Sequence, residues 1–292
     1  MCDQDSINDM LAIERSNSMS RRRFGMMSVA ASLVSWADMV RATDALPVSE
    51  QDVVIETTAG HVDAYFVHPA KGSFPGVLIW PDAFGLRPAF RQMARRLAES
   101  GYAVLVPNPF YRSERAPVFP AGASFSDPDT RDKVMSLMAA LTPDVQFMDA
   151  KSMVGWLDAQ PHVSKQHKLG TMGYCMGGAY TFRTAASFPE RVGAAASFHG
   201  GGLVTDKAES PHLLVPKLKA HYLIAIAAND DDKQPDAKDT LRAAFAAANV
   251  PAEIEVYAGT MHGWCPPDAA VYNEVQAERA WARLLVLFKQ TL

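Results

Sequence analysis

The sequence predicts an α/β fold with a mainly parallel central sheet and helices on both of its faces. Three observations carry this expectation. Short, continuously apolar runs at 76–80 and 102–106 have the character of strands covered on both sides. Amphipathic stretches of ten residues or more separate most such runs, so successive strands are joined by crossovers and lie parallel. Glycines punctuate the ends of elements, as at Gly101 and Gly173.

Taken in order, residues 53–55 and 62–67 read as two strands of a hairpin that turns at Ala59-Gly60. Residues 76–80 form a buried strand. Residues 88–100 carry Phe90, Met93 and Leu97 at helical spacing, and Gly101 stops that helix. A strand follows at 102–106 and ends at Pro107. Residues 108–131 are rich in Pro, Ser and Asp and weakly periodic, which predicts a loop with short helical pieces, of the kind that walls a site. Beyond it, helices are expected at 145–160, 176–187, 236–249 and 269–290, and strands at 169–172, 192–198, 221–227 and 253–257. There is no repeat and no low-complexity tract, so 46–292 reads as one domain. Sites in such sheets gather at the carboxyl ends of the strands.

Composition narrows the function. The chain has 292 residues, is 48% hydrophobic and 21% charged, and carries a formal net charge of −4. That balance gives no electrostatic reason to expect nucleic acid or an anionic membrane as partner. No apolar run is long enough for an integral membrane segment. Three cysteines, Cys2, Cys175 and Cys265, are too few for a disulfide framework. The acidic run Asn229-Asp230-Asp231-Asp232 lacks EF-hand spacing, and no motif calls for a metal or a cofactor. Residues 1–45 differ in kind. Ser20-Arg21-Arg22-Arg23-Phe24 followed by a modestly apolar stretch resembles a twin-arginine export signal, although Asp38 and Arg41 interrupt the apolar-to-small transition. That reading places the domain in the periplasm or outside the cell. The alternative is a disordered basic N-terminal segment on a cytoplasmic protein.

The chemistry is announced by Gly173-Tyr174-Cys175-Met176-Gly177-Gly178, between an expected strand and an expected helix. G-x-C-x-G at such a junction is the nucleophile-elbow pattern with cysteine in place of serine. The turn holds the nucleophile in a cramped backbone conformation, and side chains two before and two after it would collide. The thiol then stands at a helix N-terminus, which favours a thiolate. The Met176 N–H is aimed where an oxyanion would develop. An elbow needs an acid and a histidine further along the chain. Asp230 follows the strand at 221–227, and His262 follows the strand at 253–257 within Gly259-Thr260-Met261-His262-Gly263-Trp264. Asp231 and Asp232 read as solvated charges. His199-Gly200-Gly201-Gly202 reads as a tight turn at the edge of the site. The loop Trp80-Pro81-Asp82-Ala83-Phe84-Gly85-Leu86 lies where a second oxyanion donor belongs, with Ala83 N–H as the candidate and Asp82 within reach of the thiol.

With these residues in place the sequence resembles the dienelactone hydrolase family. The features that carry the resemblance are Asp82 to Leu86, Gly101-Tyr102 with Pro107, the cysteine elbow, Asp230, and His262-Gly263-Trp264, in that order. It covers the chain from about residue 50. The resemblance implies an α/β-hydrolase fold, a Cys175–His262–Asp230 triad, and hydrolysis of a small-molecule ester or lactone through a thioester, as in a carboxymethylenebutenolidase. It also implies that the carboxylate at position 82 helps convert thiol to thiolate. Two positions depart from the family pattern. Asp82 stands where glutamate is common, and Pro266 stands where lactone-cleaving members carry an arginine for a substrate carboxylate. Arg87 and Arg112 are the candidate substitutes for that cation. Phe84, Phe110, Tyr111 and Trp264 are candidate pocket walls. Two other readings compete: an exported redox thiol protein that pairs Cys175 with Cys265, and a binding protein on a catalytically inactive hydrolase fold. A class I glutamine amidotransferase is set aside, because Trp264 stands where that class needs glutamate.

Overall fold

A computed structural model describes residues 45–292. The export-signal reading of 1–45 therefore lies almost wholly outside the described residues. Eight strands form one sheet: β1 (Val48–Thr57), β2 (Gly60–Pro69), β3 (Gly76–Trp80), β4 (Ala103–Pro107), β5 (Leu169–Tyr174), β6 (Val192–Phe198), β7 (His221–Ala227) and β8 (Ala252–Tyr257). Their spatial order is β1-β2-β4-β3-β5-β6-β7-β8. β1 and β2 pair antiparallel, as do β2 and β4, and every later pairing is parallel. The helices of the crossovers are α1 (Pro88–Glu99), α2 (Pro128–Ala139), α3 (Pro143–Ala159), α4 (Gly177–Ser187), α5 (Ala228–Lys233), α6 (Ala237–Ala247) and α7 (Glu274–Thr291). The expected fold class is the observed one.

Strand alternation divides the core between the two faces of the sheet. Val77, Ile79, Val104 and Val106 point to one face, where they meet Phe90 and Leu97 of α1 and Leu284 and Phe288 of α7. Leu78, Trp80 and Leu105 point to the other and meet Met153 and Leu157 of α3. On that second face Tyr222 and Ile224 pack with Phe182 of α4 and Phe245 of α6. Helices thus cover both faces, which is why β3 and β4 are apolar at every position and fully buried.

The differences from the sequence expectations have local causes. β1 runs from Val48, well before residue 53, because it is an edge strand held by its ladder to β2 and not by burial. Its polar side chains read as loop, yet Glu50 pairs with Arg95 at 2.8 Å and Asp52 with Arg91 at 2.6 Å, both on α1. The expected loop at 108–131 gives way to α2 at Pro128, where Asp127 caps the helix by accepting from Thr130 N–H at 3.0 Å. The last helix starts at Glu274, where Asn273 Oδ1 accepts from Gln276 N–H, and not at residue 269. Asp230 follows β7 as expected, in the short helix α5, but Asp231 in the same helix is not a solvated charge: it is half-buried and paired with Lys238 at 2.8 Å.

Candidate active site

The junction of β5 and α4 is a cramped elbow for identifiable reasons. Cys175 has φ +53°, in the left-handed region that side-chain-bearing residues avoid. A Cβ added at Gly173 would lie 2.0 Å from the Gly177 carbonyl oxygen, so the turn itself demands that glycine. A Cβ at Gly177 would lie 2.3 Å from the Trp80 carbonyl oxygen, so the neighbouring end of β3 demands the other. The strained residue is braced on both sides. Cys175 N–H donates to Phe198 O at 3.1 Å and to His199 Nδ1 at 3.2 Å. Its carbonyl accepts from Gly178 N–H at 3.0 Å and Gly201 N–H at 3.3 Å.

Two strands further along, β7 and β8 deliver the candidate acid and base. Asp230 stands in the first turn of α5, and His262 stands on the loop after β8. His262 Nδ1 lies 2.7 Å from Asp230 Oδ2. The two loops are stapled by neighbouring bonds. His262 N–H donates to Asn229 Oδ1 at 2.7 Å, and the Thr260 hydroxyl, which accepts from Ala228 N–H at 3.2 Å, donates to Tyr257 O at 2.7 Å. A carboxylate on Nδ1 holds the proton there and leaves Nε2 as the basic nitrogen of the neutral ring. His262 is only 2% exposed, so little solvent competes for that bond.

His199 is the residue that sequence reasoning missed. The H-G-G-G stretch does not merely edge the site. Its histidine, at φ +40°, lies fully buried beneath the elbow. Its ring centre is 5.1 Å from that of His262, edge to face. His199 thus touches both the Cys175 backbone and the His262 ring, which ties the elbow to the base. Because Nδ1 accepts from Cys175 N–H, the ring proton must sit on Nε2, which is buried without a hydrogen-bond partner among the described residues. Burial pushes this imidazole well below its ordinary value of 6.5, and His262 pushes it further. The available signal was positional: Tyr174 and Phe198 are register partners in adjacent parallel strands, so the next residues, Cys175 and His199, emerge side by side.

The loop after β3 runs against the elbow, as the Trp80–Gly177 approach requires. Among the described residues neither Ala83 N–H nor Met176 N–H has a hydrogen-bond acceptor. Asp82 is turned into its own loop. Its Oδ1 accepts from Phe84 N–H at 2.9 Å, and its two oxygens take the Arg87 guanidinium at 2.6 and 2.9 Å. Arg87 is shared with Asp268, at 2.7 and 3.0 Å. Burial alone would lower the Arg87 pKa, but the two neighbouring carboxylates raise it above its usual value.

Of the other pocket candidates, Phe84 meets Phe119 and Phe125 edge to face, with centres 5.5 and 5.0 Å apart. Phe110 is buried in the same apolar cluster, which also contains Ala83, Cys175 and Met176. Two candidates are placed elsewhere. Trp264 has no exposed surface and stacks on Tyr257 at 4.9 Å, in the core beneath α1 and α7. Tyr111 donates to Asp149 at 3.0 Å, and Arg112 grips the same carboxylate at 2.7 and 3.1 Å. Cys265 belongs to the Trp264 core cluster, where burial pushes its thiol well above the usual value. Among the described residues Cys175 and Cys265 form no disulfide, and they pack in different clusters.

A mainly parallel sheet in this strand order, with an elbow after its fifth strand and an acid and a histidine after the seventh and eighth, defines an α/β-hydrolase. The comparisons carry that class down to a family. The chain belongs to the dienelactone hydrolase family, whose model matches residues 62–292. It is 30% identical over 243 residues to a protein of Escherichia coli (strain K12) that bears the provisional name carboxymethylenebutenolidase, covering 81% of this chain and 85% of that one. A Methylorubrum extorquens protein of the same provisional name is 26% identical over 293 residues, with 97% of each chain covered. The crystal structure of a provisionally named dienelactone hydrolase from Klebsiella pneumoniae superposes with a TM-score of 0.72 at 26% identity, over 83% of this chain and 99% of that one. The protein is a carboxylic ester or lactone hydrolase of the dienelactone hydrolase kind, and its family implies a small-molecule substrate. Among the described residues no helix is long and apolar enough to cross a membrane.

Proposed function

We propose that the protein hydrolyses an activated ester or lactone through a thioester on Cys175. The thiol, deprotonated by His262 Nε2, attacks the acyl carbon. The carbonyl oxygen gains the electron pair and is held by the N–H groups of Ala83 and Met176. Collapse expels the alkoxide or enolate, which takes the proton from His262. Water then gives a proton back to His262 and attacks the thioester, releasing the acid and restoring the thiol. Asp230 orients the imidazole and balances its transient charge. The observation that carries this reading is the 2.7 Å bond from His262 Nδ1 to Asp230, on the strand ends beside a glycine-enforced cysteine elbow. A thiolate leaves more easily than an ordinary alkoxide, so productive collapse requires a good leaving group: enol lactones, aryl esters and thioesters over amides.

The experiment is turnover of p-nitrophenyl esters by wild type and Cys175→Ala, with mass spectrometry for an acyl adduct on Cys175. Equal rates for the two proteins end the proposal. In the resting arrangement Asp82 is engaged by Arg87, so it serves as the thiol-activating carboxylate only by leaving that partner. The proposal extends to the N-terminus, where Arg21, Arg22 and Phe24 support export by the twin-arginine route on sequence alone. A reporter fused to residues 1–45 and carrying Arg21→Lys and Arg22→Lys should stay in the cytoplasm. Unchanged export removes that reading.

A further inference from the structure

We infer that the acyl group accepted at Cys175 is uncharged and apolar, and that a carboxylate on the substrate is selected against. The inference rests on the hydrolase reading above and names the substrate class of the same site.

The argument starts with what surrounds the elbow. Cys175 and Met176 share one buried cluster with Phe119 and Phe125, from the segment that follows β4, and with Val134 and Leu137 on one face of α2. Phe84 closes it from the oxyanion loop, edge to face with Phe119 and Phe125. On this inference an acyl group bonded to Sγ, with its oxygen directed at the Ala83 and Met176 N–H groups, extends its chain along these rings and this helix face, because they share the buried cluster of Cys175.

An apolar acyl chain gains by leaving water for that surface. A carboxylate gains only if a cation or a set of donors replaces its water. The cations at these rings are already engaged. Arg87, 5.8 Å from the centre of Phe84, has its forks on Asp82 and Asp268, and the three groups together carry net negative charge. Lys133, 5.1 Å from the centre of Phe119, bonds Glu114 at 2.8 Å and Val118 O at 3.0 Å. Arg112 is held on Asp149. Position 266, where the family resemblance places a carboxylate-binding arginine, is proline. A substrate carboxylate lying against Phe84 or Phe119 would therefore have to break an existing ion pair or remain unpaired there.

The test uses the full chain and two esters with one leaving group and one chain length, p-nitrophenyl valerate and p-nitrophenyl hydrogen glutarate, each read above a Cys175→Ala blank. The neutral ester should lead in kcat/KM on the order of 100-fold, the direction and scale of an unpaired buried carboxylate. Phe84→Arg, at a half-buried position, should narrow that ratio at least about tenfold by supplying the missing cation. Met135→Lys, at another half-buried position of the cluster, is the second variant should the first not fold. Equal rates, or preference for the glutarate, overturn the inference and leave the hydrolase reading intact. Turnover of neither ester overturns the hydrolase reading and the inference with it. A ratio unmoved in a folded Phe84→Arg or Met135→Lys protein overturns the assignment of this cluster as the acyl site.

Discussion

Acidification has to put a proton on His199, and the fold has no place for the resulting charge. The ring is fully buried, Nδ1 already accepts from Cys175 N–H, and His262 stands 5.1 Å away. The folded pKa is therefore depressed well below the ordinary 6.5, while the unfolded chain titrates near that value. Below pH 6.5 the unfolded state binds more protons than the folded one, so stability falls as pH falls, by about 1.4 kcal/mol per pH unit. Between pH 7 and pH 5 this one group should remove about 2 kcal/mol, provided the folded ring stays neutral at pH 5. In a domain of this size that is a drop of about 4–8 °C in Tm. The perturbation that isolates it is His199→Asn. Asparagine tolerates a positive φ and offers Oδ1 to Cys175 N–H, but it does not titrate. Thermal or urea melts of both proteins at pH 5, 6 and 7 give the difference in slope. Parallel slopes, or a His199 resonance titrating near 6.5 in the native wild type, would refute the reasoning.

Further outcomes follow from the same geometry. Asp230→Asn should lower kcat on an activated ester on the order of 10²–10⁴-fold with KM little changed, since the amide no longer enforces the Nδ1–H tautomer; steady-state kinetics decide it. Gly177→Ala drives a Cβ to within 2.3 Å of the Trp80 carbonyl oxygen and should cost more than about 3 kcal/mol, whereas Gly155→Ala, on α3 with open space around it, should stabilise by about 0.5–1 kcal/mol. Denaturant midpoints of the two variants should therefore move in opposite directions. Native alkylation should modify Cys175 and spare Cys265, whose buried thiol is held protonated; peptide mapping before and after denaturation reads the difference. Modification of both at equal rates would contradict the core placement of Cys265.

What was legible in the sequence was local. The continuously apolar runs of β3 and β4, the helical spacing of Phe90 and Leu97, and the glycine pair around Cys175 each express sterics or burial within a few residues. Asp230 and His262 were legible for a related reason, because chain order places the residues after the seventh and eighth strands at one end of a parallel sheet. β1 and α2 were read poorly, since an edge strand and a capped helix rich in Asp and Pro are stabilised by ladder bonds and a cap more than by an apolar pattern.

Pairings between distant segments had no local signature. The sequence by itself determined the class of fold, the glycines around the elbow and the identity of the candidate acid, base and thiol, because these follow from backbone sterics and the order of the strands. Only the tertiary structure decided that His199 lies under Cys175, that Trp264 belongs to the core, and that Arg87 joins Asp82 to a residue 181 positions further along the chain. Those outcomes depend on which side chains compete for the same buried space and the same charge, and that competition is resolved only when all the elements have packed.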